Sequence, residues 1–387
     1  MSRKKANLPA GARLSDYLTA GVIAKTFPLK AVRKALRDSN RLSRRKRQLS
    51  AEAVVYYVIA LGMFRAVSSR EVLRCLAHGL RWAHATYPLR LVASSSISRA
   101  RQRLGIEPFV SLRKQVVHVL ADDRTRGGWY RELRVLAVDG AIVGLPRERR
   151  NKKAFGEIDS DQSDAARPGV RVTLLVEVGT RAPFAWEYGP CTESRQEQAL
   201  RLSPHLSKGT ILIAENGYAS AELWHEITKS GGELVARTES GVSLPALDTY
   251  GDGSFLTTVH GMPARALDFD IDDSDAPVRR LVTTLLDPSL APANELAAMY
   301  HETWDSRSAR DEVKAYTLWR GSILRSKTPP LVEQEIEGLM LAHFAVRNFL
   351  HEMTRLLDED PYQLAFNHSV RVLEPSGHAT DKVASPA

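Results

Sequence analysis

The chain is poor in cysteine: its 387 residues include only Cys75 and Cys191, far apart and in no metal-ligand spacing. That rules out a disulfide framework and a cysteine zinc site as organising devices, and a reducing cytoplasm is the plain expectation. Long apolar runs are missing too. None approaches the roughly 18–20 residues of a membrane span, and the basic start (Arg3, Lys4, Lys5) leads into no apolar stretch of a signal peptide. There is no phosphate-loop glycine pattern, so no nucleotide cofactor is expected, and the histidines show no zinc spacing. No internal repeat is found. Acids are scarce at one end only. Residues 1–50 carry 14 Lys/Arg against Asp16 and Asp38, a net of +12; the whole chain is +9, so the remainder sums to −3.

What is present begins with that basic end. It peaks in "RLSRRKRQLS" (Arg41–Ser50), where Arg41, Arg44, Arg45, Lys46 and Arg47 form a cluster suited to phosphate-backbone contact with double-stranded DNA. The surrounding ~125 residues read as helical. "AVVYYVIALGMF" (Ala53–Phe64) is apolar nearly all round and reads as a buried bundle helix. "SSREVLRCLAHGL" (Ser68–Leu80) has a serine cap and one apolar face. "SSSISRARQRLG" (Ser94–Gly105) is a short capped helix bearing Arg99, Arg101 and Arg103. It reads equally as a recognition helix in a helix-turn-helix-like unit and as an exposed amphipathic helix.

Past a polar, glycine-containing linker at Ala121–Trp129 the vocabulary turns to strands. "LRVLAVDG" (Leu133–Gly140), "VRVTLLVEVGT" (Val170–Thr180) and "APFAWEYGP" (Ala182–Pro190) come close together, the last two near enough to pair antiparallel. Later strands are separated by helices, including "ILIA" (Ile211–Ala214) before the helix Ser220–Ser230. The order describes a mixed sheet flanked by helices, an α+β/α/β class. Residues 239–278 read as a β-rich insertion. The expected domains are 1–125, helical and DNA-binding; 126–360, the core; and 361–387, an extension and tail.

Two carboxylates stand where such folds place chemistry. Asp139 ends one buried strand beside Gly140, and Glu215 ends another before Asn216-Gly217. Mg²⁺ is typically held by one or two carboxylates plus phosphate and water, so the pair is a candidate for metal-assisted phosphoryl chemistry. A third position is expected from the helix that begins near Asn294, which offers Glu302, Asp305, Asp311 and Glu312, followed by Lys314.

The pattern "LSDYLTAGVIAKTFP", "LSAEAVVYYVIALGMFR", "SSSISRARQRLG", "LRVLAVDGAIVGLP" and "KKAFG" resembles the IS4 family of bacterial insertion-sequence transposases. The resemblance continues through "ILIAENGYASAELW", "RRLVTTLLDPSLAP", "YHETWDSRSARDEVK" and "ILRSKTPPLVEQEIEGLMLAHFAVR", from about Arg13 to Val372. It implies an N-terminal DNA-binding domain and an RNase H-like core interrupted by a β insertion. It also implies cutting and joining of element ends with Mg²⁺ (or Mn²⁺) held by two Asp and a Glu, and dimeric assembly on DNA. Asp139 matches the first family Asp. The family's second Asp is Glu215 here, in "AENG". The helix signature of Tyr, Arg, Glu and Lys falls on Tyr300, Thr303, Arg307 and Lys314, so the catalytic Glu has become Arg307.

These departures bear on mechanism. Glu215 is one methylene longer and displaces a metal without abolishing ligation. Arg307 removes a ligand and sets a permanent cation where a dication belongs, a repulsion of several kcal/mol at roughly 4–5 Å even with an effective dielectric near 20. Asp311 and Glu312 are the available substitute acids, while Tyr300, Arg307 and Lys314 are candidates for holding DNA. The leading expectation is a nucleoid-associated, transposase-type DNA-binding protein with impaired catalysis, retained as a relic or regulator. The alternative is an active transposase with a rearranged acidic set.

Overall fold

The computed structural model describes residues 14–43, 48–64, 67–83, 91–158, 167–215, 217–238, 242–269, 279–305 and 323–357. Two compact units emerge. The first comprises residues 1–117 with 328–353 and 364–387, the second 118–327 with 354–363. The first is built from α1 (Leu14–Thr26), α2 (Leu29–Asp38), α3 (Ala51–Met63), α4 (Ser69–Ala83), α5 (Ser94–Leu104) and α6 (Glu107–Val116). Helix α3 is the central element, capped by the Ser50 hydroxyl accepting from Ala53 N–H. All its residues except Gly62 are buried, as a helix without a polar face must be. No helix among the described residues is long and apolar enough to cross a membrane.

The second unit carries the sheet. Its elements run β1 (Trp129–Tyr130), β2 (Leu133–Gly144), α7 (Arg149–Phe155), β3 (Glu157–Ile158), β4 (Arg167–Glu177), β5 (Ala182–Pro190), α8 (Arg195–Leu202) and β6 (Thr210–Ala214). They continue with α9 (Ala221–Ser230), β7 (Glu233–Arg237), β8 (Asp248–Thr249), β9 (Phe255–Val259), β10 (Met262–Phe269), β11 (Arg279–Thr283) and α10 (Ala293–Tyr300). Strands β2, β4 and β5 form an antiparallel meander. Strands β6 and β7 then add in parallel on the other side of β2, giving the order β5-β4-β2-β6-β7. Counted along the chain this is 3-2-1-4-5, the RNase H-like order. The insertion extends the same sheet, with β11 antiparallel to β7 and β10, β9 and β8 following outward.

Strand alternation splits the core in two. Leu136, Val138, Leu212 and Ala214 share one face with Leu202 of α8 and Leu223, Trp224 and Ile227 of α9. Val135, Ala137, Ile211 and Ile213 share the other with Ala293, Leu296 and Tyr300 of α10. Glu177, fully buried, accepts from the backbone N–H groups of Leu120 (2.9 Å) and Ala121 (2.7 Å) and from the Thr180 hydroxyl (2.7 Å), and pairs with Arg134. Such a carboxylate is held by its donors, and it fastens the linker expected at Ala121–Trp129 to the sheet.

The last helix, α11 (Pro329–Leu357), packs through Thr328–Met353 with the first unit, not with the sheet. The sequence placed this segment in the core domain. Its partner is α3: an ideal Cβ on Gly338 would lie 2.5 Å from the Val58 carbonyl oxygen, and one on Gly62 would lie 2.8 Å from Ala342 Cβ. Gln334 adds a buried polar tie, donating to the carbonyls of Arg101 (3.1 Å) and Gly105 (2.7 Å). His343 lies buried on the same helix, and burial, then the nearby Arg347 charge, holds its imidazole well below the usual range. A neutral histidine in the folded state means that the unfolded chain alone takes up a proton as pH falls below about 6.5. Stability of the helical unit is therefore expected to decline below that pH, by up to about 1.4 kcal/mol per unit, until the folded pKa is reached. Chemical denaturation between pH 7 and 5 checks this, with His343→Leu flattening the profile.

Candidate functional site

The site begins with the register between β2 and β6. Their last parallel pair is Val138 with Ala214, so the next residue on each chain is a carboxylate, Asp139 and Glu215. Adjacent strands lie about 4.8 Å apart, which brings the two acids side by side. Asp139 does not end its strand, as the sequence suggests. Strand β2 runs on to Gly144 against β4, and what ends at Asp139 is the parallel pairing with β6. Asp139 is half-buried, and one of its carboxylate oxygens accepts from Gly140 N–H at 2.7 Å. Glu215 is half-buried as well; its carbonyl accepts from Tyr218 N–H at 3.3 Å across a turn in which Gly217 adopts φ +91°. Ser220 then caps α9 by accepting from Leu223 N–H, as its position in the sequence predicts.

Alternation puts Asp139 on the face of Ala137 and Val135, and Glu215 on the face of Ile213 and Ile211. That is the face covered by α10. The segment from which a third ligand is expected thus leaves from the correct side of the sheet: α10 ends at Tyr300 and passes into a π-helical turn, His301–Asp305. Arg307, Asp311, Glu312 and Lys314 lie outside the described residues. Tyr300 departs from expectation. It is fully buried, edge-on to Phe269 with ring centroids 5.9 Å apart, which commits the side chain to the core and not to a DNA end.

Tyr218 carries no signal in the sequence that marks it as part of this site. It is 2% exposed, and its hydroxyl lies 2.8 Å from where a Cβ on Gly140 would be. Gly140 is therefore required for close approach, beyond any turn role. Burial raises the Tyr218 phenol far above its usual range; the charges of Asp139 and Glu215 add to this, and those of Arg195 and Arg171 oppose it. One protonated phenol thus sits within the field of both carboxylates and two guanidinium groups. Arg171 is tied down, donating to the carbonyls of Glu193 (2.6 Å) and Cys191 (3.0 Å). Arg195 is exposed, its guanidinium 5.8 Å from the Tyr218 ring centre.

Two carboxylates side by side offer hard oxygen donors of the kind Mg²⁺ or Mn²⁺ takes, the remaining positions going to water and phosphate. The pair fits a metal in that partial sense. Among the described residues no group of three or more His, Cys, Asp or Glu side chains stands close enough to hold an ion unaided.

In the helical unit, Arg41, Arg99 and Arg103 line two adjoining grooves of about 570 and 310 Å³ between the stretch after α2 and helix α5. Arg99 and Arg103 are exposed, and Arg41 reaches Glu107 at 3.4 Å. Arg101 corrects the sequence expectation. Its guanidinium is buried and donates to Gln334 Oε1 (2.8 Å) and the Leu331 carbonyl (2.9 Å), so it holds α11 and is unavailable to DNA. Arg44, Arg45, Lys46 and Arg47 lie outside the described residues.

Residues 18–113 match the family model described as insertion element 4 transposase N-terminal. Over 371 residues the chain is 24% identical to the transposase InsG for insertion sequence element IS4 of Escherichia coli K12, covering 92% of this chain and 80% of that protein. It is 22% identical over 214 residues to the putative transposase InsZ of the same organism, covering 55% of this chain and 69% of the relative. A cryo-EM structure of the piggyBac transposase synaptic complex with hairpin DNA aligns at TM-score 0.47 and 11% identity, covering 92% of this chain and 79% of that one.

Proposed function

Since the chain belongs to the IS4 family of transposases, we infer that it acts on double-stranded DNA as a transposase-type binding protein whose strand-cleaving step is impaired. The observation that carries this reading is the mismatch between two carboxylates that still stand in register and a third position that is no longer an acid. Asp139 and Glu215 sit in register on the face covered by α10, while the family Glu has become Arg307 in the segment that follows that helix. A metal bound by the pair would supply charge neutralisation at a phosphate. Arg307 supplies a fixed positive charge instead, which favours holding a phosphodiester over cutting it. In the helical unit, Arg41, Arg99 and Arg103, together with the Arg44–Arg47 run, supply a non-specific phosphate footing.

The two carboxylates in register also support a second reading, an active transposase in which Asp311 or Glu312 replaces the lost Glu. Selection of bound fragments from a random DNA pool, in Mg²⁺ and again in Mn²⁺ with nicks mapped, separates the two. Binding is expected without nicks, and equally in Asp139→Ala. Metal-dependent nicks at a defined position, lost in Asp139→Ala, would establish the active enzyme instead. Homodimer formation on paired DNA ends belongs to the same proposal, and sedimentation with and without the selected DNA tests it.

A further inference from the structure

Apart from the N-terminal cluster, the chain is slightly acidic, yet the sheet-bearing unit has a concentrated cationic element. Across Arg147–Lys153 stand Arg147, Arg149, Arg150, Lys152 and Lys153, all exposed, with Glu148 the single acid. Four of these cations lie on α7. Its inward face is Asn151 and Phe155, one helical turn apart (i, i+4) and both buried. The Asn151 amide donates to the carbonyls of Pro146 (3.4 Å) and Ser326 (3.3 Å). The Phe155 carbonyl accepts from Cys191 N–H at 2.8 Å. Gly156 (φ +77°) closes the helix with its N–H on the Lys152 carbonyl at 3.0 Å. The cations therefore project from a short, anchored ridge and not from a loose tail.

Both acids at this surface are paired with neighbouring cations. Lys152 pairs with Glu157 at 2.7 Å, and Lys327 pairs with Glu148 at 3.4 Å. Counting Arg147, Arg149, Arg150, Lys152, Lys153 and Lys327 against Glu148 and Glu157 leaves a surplus of four positive charges among the described residues. Arg149, Arg150 and Lys153 make no ion pair with another described residue. Concentrating such charge costs self-repulsion, which a polyanion relieves. The ridge also lies on the extension of the carboxylate strand: β2 continues five residues past Asp139, about 17 Å, before the chain turns into α7. At 3.4 Å per base pair that is roughly five base pairs along a duplex.

We propose that the α7 ridge is a second phosphate-contact surface, gripping the backbone of duplex DNA a few base pairs from where it meets Asp139 and Glu215. It rests on the reading of this protein as DNA-binding. The ridge contributes affinity without sequence preference, through counterion release. Its side chains point outward from a fixed frame, so they are replaceable without disturbing the fold. One competitor lies in the chain itself: Asp159, Asp161 and Asp164 follow in sequence, outside the described residues.

The test is titration of the full chain with a labelled short duplex of mixed sequence over a series of salt concentrations. Arg149→Gln/Arg150→Gln/Lys153→Gln is expected to weaken binding roughly 10- to 100-fold at low salt and to lower the slope of log K against log salt by about 2 to 3. Arg149→Lys/Arg150→Lys/Lys153→Arg keeps the charges and is expected to keep the slope. An unchanged slope in the Gln variant, with wild-type protein binding normally, overturns the ridge and leaves the DNA-binding reading standing. If that variant changes only the melting temperature, the ridge is matched by the chain's own acids. Absence of binding by the wild-type chain overturns both.

Discussion

Gly338→Val is expected to abolish cooperative unfolding of the helical unit, and Gly338→Ala to lower its stability by roughly 2–4 kcal/mol. Two effects of opposite sign compete at this position. In an exposed helix interior, alanine is better than glycine by about 0.8–1.0 kcal/mol. Here the added Cβ would stand 2.5 Å from the Val58 carbonyl oxygen, 2.6 Å from Val58 Cγ1 and 2.8 Å from the Val58 carbonyl carbon. Two of those atoms are backbone, so no rotamer change removes the clash. The helices must separate, and a few tenths of an ångström is not enough. Separation loosens α3, whose residues are buried nearly all round, and the neighbouring crossing at Gly62 and Ala342 gives way with it. Urea denaturation followed by far-UV circular dichroism measures the effect. An alanine variant with a raised midpoint would mean that helix propensity decides the sign and that α3 and α11 do not approach this closely.

That contact also marks where sequence reading reaches its limit. The apolar pattern of Thr328–Leu357 declares a buried helix, but periodicity says nothing of which element covers it. Its partner α3 lies more than 250 residues earlier, and the two glycines that let them approach look like mild helix weakeners. The burial of Arg101 is legible in the periodicity of α5. Ile97, Ala100 and Leu104 define the buried stripe of α5, and Arg101 falls within it, four residues from Ile97, whereas Arg99 and Arg103 fall outside. The β2-β4-β5 meander follows from short connections and strong β patterning. The parallel pairing of β6 with β2 needs a crossover, and only the RNase H-like resemblance anticipates it. That pairing is what brings Asp139 beside Glu215. Tyr218 was out of reach because its role depends on Gly140 in another strand, a contact with no local signature.

Restoring the family acids is expected to have the largest functional effect. The double variant Glu215→Asp/Arg307→Glu should gain metal-dependent nicking of bound DNA, and adding Asp139→Ala should remove it. At roughly 4.5 Å and an effective dielectric near 20, a guanidinium opposes a dication by about 7 kcal/mol. A glutamate there turns that term attractive, at a desolvation cost that a metal-bound carboxylate recovers by coordination. Glu215→Asp shortens the second ligand by one methylene and restores the reach that the β2–β6 register provides. Neither change alone completes the set. Arg307→Glu by itself leaves the longer Glu215 to displace the ion, and Glu215→Asp by itself leaves the cation. Nick mapping on the selected DNA in Mg²⁺ and Mn²⁺ therefore expects activity in the double variant well above the sum of the singles, a non-additivity proper to residues that share one ion. If Arg307→Glu changes nothing while wild-type protein already nicks, the working acid is Asp311 or Glu312. If the double variant binds DNA and never nicks, the two replaced acids are not all that the site has lost, and the carboxylate pair serves the bound state alone.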